Sequence, residues 1–146
     1  MSEIKTFSIE RGATTLPAGG GAGALKALFT VSDFIRVHSI IGVVTTDIQA
    51  QANAMKLVAN PTVGADVDLC AAGETNGDVI GTMYGITGTP ANALVQATSG
   101  AMLAQADPVL VAPGTIDIHC VATNSGAAKW TIVYSPVMAS ATVKAA

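Results

Sequence analysis

The sequence predicts an all-β fold: a jelly-roll-like sandwich of two β-sheets with an extended N-terminal arm. Three observations support this prediction. Short stretches rich in β-branched residues recur along the chain, and turn-forming residues separate them roughly every 8–12 residues. Apolar residues at helical spacing are almost absent. About eight strands are expected, a number that suits a two-sheet arrangement.

The most strongly patterned stretch is Gly114–Pro136. Apolar and polar residues alternate on both sides of the polar turn Asn124-Ser125-Gly126. Such alternation around a turn that contains glycine is typical of a β-hairpin with one buried face. The stretch includes the only tryptophan, Trp130, which we expect in the core. Tyr84 lies beside glycines and is the better candidate for an exposed aromatic side chain.

The N-terminal region contains a short alternating segment, Ile4–Glu10, followed by the Gly-rich stretch Arg11–Gly23. The first is expected to be a strand or an extended arm, and the second has the composition of a flexible connector. A strand on such a connector can pack against its own domain or reach a neighbouring molecule. The chain therefore divides into an arm with its connector, residues 1–23, and a β-sandwich domain, residues 24–146.

The remaining strands are expected between turn signals such as Asn60-Pro61 and Glu74–Asp78. The Ala and Gln content of Asp47–Ala54 permits a helical turn, but its position between strands favours a continued strand. The other expected strands, in order, are Ala24–Val31, Phe34–Thr46, Met55–Ala59, Val79–Thr87 and Leu94–Thr98. Val67–Ala71 is short and mixed in pattern, Val109–Ala112 leads into Gly114–Pro136, and Val137–Lys144 is expected to be a final strand or a tail. In the longest of these strands, Phe34–Thr46, strict alternation places four apolar residues on one face: Ile35, Val37, Ile41 and Val43.

The composition indicates one domain that associates with other protein surfaces. The chain has 146 residues, of which 50% are hydrophobic, 4% aromatic and 12% charged. The charged fraction is about half that of an ordinary soluble domain. Small apolar side chains each bury little area, so a monomer would have a weak core. A surface with so few charges suits burial against other subunits, and we expect the chain to self-associate.

Charge and hydropathy argue against two classes of partner. The net charge is −3, and the seven Lys and Arg residues form no basic run that would bind phosphates. The longest apolar run, Ile40–Val44, is too short to cross a bilayer, and the N-terminus has no apolar signal core. We therefore expect that the protein binds neither nucleic acid nor a membrane. We also expect that it is synthesised in a cytoplasm. In a cytoplasmic protein, Cys70 and Cys120 are expected to be buried thiols.

No residue pattern predicts an enzyme. The glycines before Lys26 lack the Gly-Lys-Ser/Thr ending of a phosphate-binding loop, and no serine lies in a Gly-x-Ser-x-Gly elbow. His38 and His119 lack the spacing of zinc ligands. Asp66, with Asp68 and Glu74 nearby, lacks the pattern of a calcium loop. We therefore predict no catalytic residue, no metal and no cofactor.

Three stretches form a recognisable set: Ala59–Ala72, Gly81–Gly88, and Gly114–Pro136 with its Gly-Thr-Ile-Asp, Asn-Ser-Gly, Lys-Trp and Tyr-Ser-Pro segments. They resemble a family of small tailed-phage virion proteins, and the resemblance covers roughly Phe29 to the C-terminus. It implies a virion structural protein. By analogy with small jelly-roll proteins on phage heads, it further implies a decoration or cement protein, often a trimer, that assembles in the host cytoplasm.

We therefore expect this chain to be a capsid decoration protein. It would lie on the virion surface and stabilise the head by binding the major capsid protein. Its partners would be itself, as a homotrimer, and the major capsid protein or another virion protein. The N-terminal segment would add a strand to a neighbouring sheet edge. The expected contact residues are Ile4, Phe7, Ile9, Arg11 and Leu16. The alternative is a tail, baseplate or fibre component that binds a host surface glycan.

Overall fold

The chain is built from antiparallel β-strands, which the computed structural model describes over residues 5–19 and 24–146. These residues contain twelve strands and no helix. The strands are β1 (Phe7–Thr15), β2 (Ala24–Val31), β3 (Ile35–Thr46), β4 (Ala54–Pro61), β5 (Val67–Asp68), β6 (Gly73–Glu74), β7 (Met83–Gly85), β8 (Val95–Ala97), β9 (Val109–Val111), β10 (Gly114–Cys120), β11 (Ala127–Pro136) and β12 (Val143–Ala145).

The strands form two sheets that pack against each other. The first sheet has the order β1-β11-β3-β7-β8, and β9 also pairs with β3. The second has the order β12-β2-β10-β4-β5, and β6 also pairs with β4. All pairings between these strands are antiparallel. The predicted all-β, two-sheet sandwich is confirmed.

The hairpin predicted for Gly114–Pro136 is wrong, because its two strands belong to different sheets. β10 pairs with β2 and β4, whereas β11 pairs with β1 and β3. Both strands alternate as predicted, and Ile118 of β10 and Trp130 of β11 are buried in the same core. Alternation shows which face of a strand is buried, and two strands on opposite sides of a core satisfy it as well as two paired strands.

Residues 121–126 carry the chain from the second sheet to the first. The buried Asn124 donates hydrogen bonds from Nδ2 to the carbonyl oxygens of Gln49, at 3.2 Å, and Gln51, at 2.9 Å. Gly126 has a φ of +124°, and a Cβ at this position would lie 2.7 Å from Cδ1 of Ile48. A capping side chain and a glycine conformation therefore fix this crossing in place of a hairpin turn.

The segment between β3 and β4 is a loop and not the continued strand that the sequence favoured. Its short polar side chains bond to backbone groups of other segments. Asp47 Oδ1 accepts the amide of Ile80 at 2.7 Å. Asn53 is fully buried, and its Oδ1 accepts the amides of Val121, at 3.1 Å, and Ala122, at 3.0 Å. Such side-chain bonds compete with strand pairing.

The core lies between the sheets and includes two stacked aromatic rings. The centroids of Trp130 and Tyr84 are 6.1 Å apart, and the ring planes meet at 23°. The predicted burial of Trp130 is confirmed, but the predicted exposure of Tyr84 is wrong. The Tyr84 ring faces inward from β7, and its hydroxyl donates a 2.6 Å hydrogen bond to Asp78 Oδ2. The largest other fully buried side chains are Phe29, Leu28, Ile35, Ile40, Met55, Leu57, Ile116, Ile118 and Ile132.

A β-bulge in β3 corrects the predicted assignment of its faces. Opposite β11, Val37 pairs with Tyr134 and Ser39 pairs with Val133, so His38 is an extra residue. An extra residue shifts the alternation by one position, and the buried face changes accordingly. The buried residues of β3 are Ile35, Val37, Ile40, Gly42 and Val44.

The same bulge moves two apolar residues outward. Ile41 and Val43 were predicted to share one face with Ile35, but Ile35 faces the core and they lie on the outer face of the first sheet. Ile41 is exposed and Val43 is half-buried. The register shift therefore leaves apolar side chains on the exterior of the sandwich.

The N-terminal strand lies on the chain's own first sheet. β1 pairs with β11 from Phe7 to Thr15, with an irregularity between Arg11 and Thr14. Residues 11–15, which the sequence placed in the connector, are therefore part of this strand. Lys26 of β2 donates from Nζ to the carbonyl oxygen of Thr15, at 2.9 Å, and to its Oγ1, at 3.0 Å. This contact ties the end of β1 to the second sheet.

Candidate interaction surfaces

The two histidines do not form a common site. His38 lies at the bulge of the first sheet, where its Nε2 is 2.8 Å from Oγ of Ser135. Ser135 is buried and His38 is half-buried, so the serine hydroxyl is not open to a substrate. His119 lies on β10 of the second sheet. Among residues 5–19 and 24–146, no group of three or more His, Cys, Asp or Glu side chains is arranged to hold a metal ion.

The acidic residues singled out in the sequence are used separately. Asp68 forms a 3.0 Å ion pair with Lys56. Glu74 Oε1 accepts the amides of Asn53, at 2.6 Å, and Asn76, at 3.0 Å. These bonds fix the strands and turns around β4 and give the carboxylates a structural role.

The cysteines are free and buried, as predicted. The amide of Leu57 donates to Sγ of Cys70 at 3.4 Å. Burial raises the pKa of the Cys120 thiol to about 11 and also raises the pKa of Cys70. Because the thiolate is the reactive form, both groups are poor nucleophiles near neutral pH.

The N-terminal residues predicted to contact a partner have different surroundings. Phe7 is 45% exposed and stacks on Tyr134, with ring centroids 5.6 Å apart. Ile9 and Arg11 are half-buried on the same side of β1. Leu16 is buried in the core and offers no contact surface. Ile4 lies outside the described residues.

One lateral edge of the sandwich is formed by β1 of the first sheet and β12 of the second, and we call it the β1–β12 edge. Each strand is the last in its sheet, so the backbone groups on its outer side have no strand partner among the described residues. A groove of about 500 Å³ opens here between the sheets. Its apolar lining includes Phe7, Ile9, Tyr134 and Val143. Unpaired edges of this kind are ready to take another strand.

On the opposite side of the sandwich, β5 of the second sheet and β9 of the first form an edge that we call the β5–β9 edge. The last strand in the order of the first sheet, β8, lies farther along that side, next to β7. A second groove of about 180 Å³ lies between β5 and β9, with Pro90 in its lining. Val67 and Leu110 flank it and are 57% and 58% exposed. Branched apolar side chains with this exposure on an edge strand are typical of a surface that another protein covers.

A third surface is the outer apolar face of the first sheet, formed by Ile41, Val43, Met83, Val95 and Leu103. Ile41 pairs with Gly85 of β7, which in turn pairs with Val95 of β8. Met102 packs over Gly85, where a Cβ would lie 2.9 Å from its Cε. Residues 102–105 belong to the loop after β8, and a groove of about 290 Å³ lies between this loop and the sheet. Leu103, which lines the groove, is 92% exposed.

This outer face and the two edges were not predicted from the sequence. One feature of the sequence pointed to the outer face: Phe34–Thr46 has apolar residues at both its odd-numbered and its even-numbered positions. A strand of this kind leaves apolar side chains outward whichever face is buried. The two edges had no local signal, because they depend on which strands end each sheet.

Comparison with protein-family models, with curated proteins and with solved structures finds no match for this chain. The described residues include no helix with the length and apolar character needed to cross a membrane.

Proposed function

We propose that this protein is a structural component of a bacteriophage virion. In this proposal it acts as a decoration (cement) protein on the capsid surface. It binds the major capsid protein, associates with itself as a homotrimer and stabilises the head. The resemblance of Ala59–Ala72, Gly81–Gly88 and Gly114–Pro136 to phage virion proteins supports the virion assignment. The surfaces of the sandwich support a role in binding other proteins.

The observation that carries the proposal is the outer apolar face of the first sheet. Ile41 and Leu103 are exposed there, and Met83 and Val95 are half-buried beside them. Exposed apolar patches on soluble proteins mark surfaces that other molecules cover. With only 12% charged residues in the whole chain, the exterior has few groups to keep this face hydrated. We assign this face to the capsid protein.

The N-terminal strand takes part without leaving its own sheet. β1 already pairs with β11 along one side, so a neighbouring strand adds to its free side. Strand addition of this kind uses main-chain hydrogen bonds for affinity and alternate side chains for specificity. Among the predicted residues that the structure describes, Phe7 is the exposed one and contributes that specificity.

Immunogold labelling tests the location of the protein. Virions of a phage that encodes this chain are labelled with antibodies against the purified protein. We expect label on the head. Label confined to the tail would contradict the decoration role, and virions without label would contradict the virion assignment.

A binding assay with undecorated heads tests the assigned face. Leu103→Asp places a charge on the outer apolar face at a side chain that has almost no contacts to lose. We expect it to weaken head binding at least tenfold without a change in the unfolding midpoint. Val121→Asp, at an exposed position beside the crossing between the sheets, is the matched control and should bind as the wild type does. Equal binding by both variants would contradict the assignment of this face.

A tail, baseplate or fibre component that binds a host glycan is the second candidate. Glycan sites present aromatic rings to the sugar, and Phe34 is an exposed aromatic side chain at one end of the sandwich. Trp130, Tyr84 and Tyr134 are buried, which leaves little stacking surface and makes this candidate the weaker one. Label on the tail in the immunogold experiment would select it.

A further inference from the structure

The β1–β12 edge and the β5–β9 edge lie at opposite sides of the same sandwich. The β1–β12 edge ends both sheets, and at the opposite side β5 ends the second sheet while β9 is the outermost strand of the first sheet beside Ile35–Val37 of β3. Each edge also opens a groove between the sheets with apolar side chains in its lining. The two edges therefore offer the same kind of surface at the two sides of one molecule.

The charges on the two edges are complementary. The β1–β12 edge carries Lys5, Arg11 and Lys144, with one acid, Glu10, on β1. Lys26 lies beside it and bonds to the end of β1.

The β5–β9 edge carries the opposite charge, from Asp66, Asp68 and Asp107 on or beside its strands. The nearest cations are on the neighbouring strands: Lys56, which pairs with Asp68, and Arg36, which lies opposite Leu110. Opposite charges on two surfaces favour their contact, and like charges oppose the contact of either surface with itself.

Strand directions in the first sheet suit a contact between the two edges, whereas β5 and β12 of the second sheet run the same way and would meet in parallel order. β1 and β3 run the same way, because both are antiparallel to β11. β9 is antiparallel to β3. When two copies sit side by side in the same orientation, β9 of one copy meets β1 of the next in antiparallel order. All the strand pairs within the first sheet are also antiparallel.

We infer that copies of this chain associate head to tail, with the β5–β9 edge of one against the β1–β12 edge of the next. Each edge thus binds a second copy of the same chain. Such a contact uses two different patches, so copies form a ring when the rotation between them closes and a filament when it does not. The inference rests on the self-association included in the proposed function and names its interface, but its test needs no virion.

Charge exchange between the edges tests the inference. The first variant, Lys5→Glu with Lys144→Glu, makes both edges acidic. The second, Asp66→Lys with Asp107→Lys, makes both edges basic. None of these four side chains makes a hydrogen bond to the described residues. The control is Lys129→Glu, an exposed charge on β11, one strand in from the β1–β12 edge and on neither edge strand. Circular dichroism checks that each variant is folded, and sedimentation velocity over a concentration series measures self-association.

We expect the wild type and Lys129→Glu to associate alike, and each edge variant alone to associate at least tenfold more weakly. An equimolar mixture of the two edge variants should associate again, because acidic edges then meet basic ones. A wild type that stays monomeric would overturn the inference. So would edge variants that associate as the wild type does, or a mixture that gains nothing over its components. Immunogold labelling of virions decides the proposed function independently of these outcomes.

Discussion

The indole ring of Trp130 covers Gly42 so closely that a Cβ at position 42 would lie 2.6 Å from Cζ3 of the ring. The two residues pair across β11 and β3, and both are buried. The same ring stacks with Tyr84 of β7. The largest side chain of the core therefore occupies space that only glycine leaves open.

Gly42→Ala should destabilise the fold by about 1–3 kcal/mol, because an added methyl group in a packed core forces the ring or the backbone to move. The matched control is Gly12→Ala in β1, where a Cβ would meet nothing within 4 Å and φ is not positive. Urea unfolding followed by tryptophan fluorescence measures both free energies of unfolding. A Gly42→Ala variant as stable as Gly12→Ala would mean that Trp130 does not pack against Gly42 as described.

Asn124→Ala tests the crossing between the sheets. The substitution removes both donors that cap the carbonyl oxygens of Gln49 and Gln51, and it should lower the free energy of unfolding by about 1–3 kcal/mol. Ser125→Ala is the control, since Ser125 is exposed and its hydroxyl has no hydrogen bond among the described residues. Hydrogen exchange should also become faster at the amide of Gln49, which donates to the carbonyl of Ser125. Equal stability of the two variants would contradict the capping role of Asn124.

Local patterns along the chain predicted much of the fold. The bounds of β2, Ala24–Val31, agree with the predicted strand, and Trp130 is buried as its alternation indicated. These features depend on β-branched content and on which neighbours in sequence are apolar. A single strand contains that information.

The features that were missed depend on contacts between distant segments. Gly114–Pro136 alternates in the same way whether its strands pair or lie in opposite sheets, and the crossing depends on Asn124 bonding to the segment before β4. The shift at His38 is visible only against β11. The β1–β12 and β5–β9 edges likewise follow from strand order, which no local pattern contains. The sequence predicted contact residues on β1, but not the surface that β1 shares with β12.

The bond between Tyr84 and Asp78 ties the core to the loop before β7, and a double-mutant cycle measures its strength. Tyr84→Phe removes the hydroxyl, and Asp78→Ala removes its acceptor, whose backbone bonds to Thr75 and Ile48 do not involve the side chain. We expect each single variant to lose about 1–2 kcal/mol and the pair to show a coupling free energy of about 1 kcal/mol. The measurement is urea unfolding of all four proteins. Additive effects would show that the 2.6 Å bond contributes nothing to stability.

Stability should fall at alkaline pH, because burial raises the pKa of Cys70, Cys120 and Tyr84. The Cys120 thiol has an ordinary pKa of 9.0 in the unfolded chain and about 11 in the folded one. Between these values the unfolded state binds fewer protons, so the free energy of unfolding decreases as the pH rises. The stabilising contribution is fully present below pH 9. A shift of this size corresponds to a loss of about 3 kcal/mol.

Cys120→Ala isolates the thiol's share of this decline. Its free energy of unfolding should lie about 1–2 kcal/mol below that of the wild type at pH 7, because the substitution leaves a small cavity. Between pH 9 and pH 11 the two values should converge, since the variant has no thiol at position 120 to titrate while every other titrating group is shared. Urea unfolding at pH 7, 9 and 10.5 gives the comparison. A constant difference across the three values would show that Cys120 titrates alike in the folded and unfolded chains, which contradicts its burial in the core.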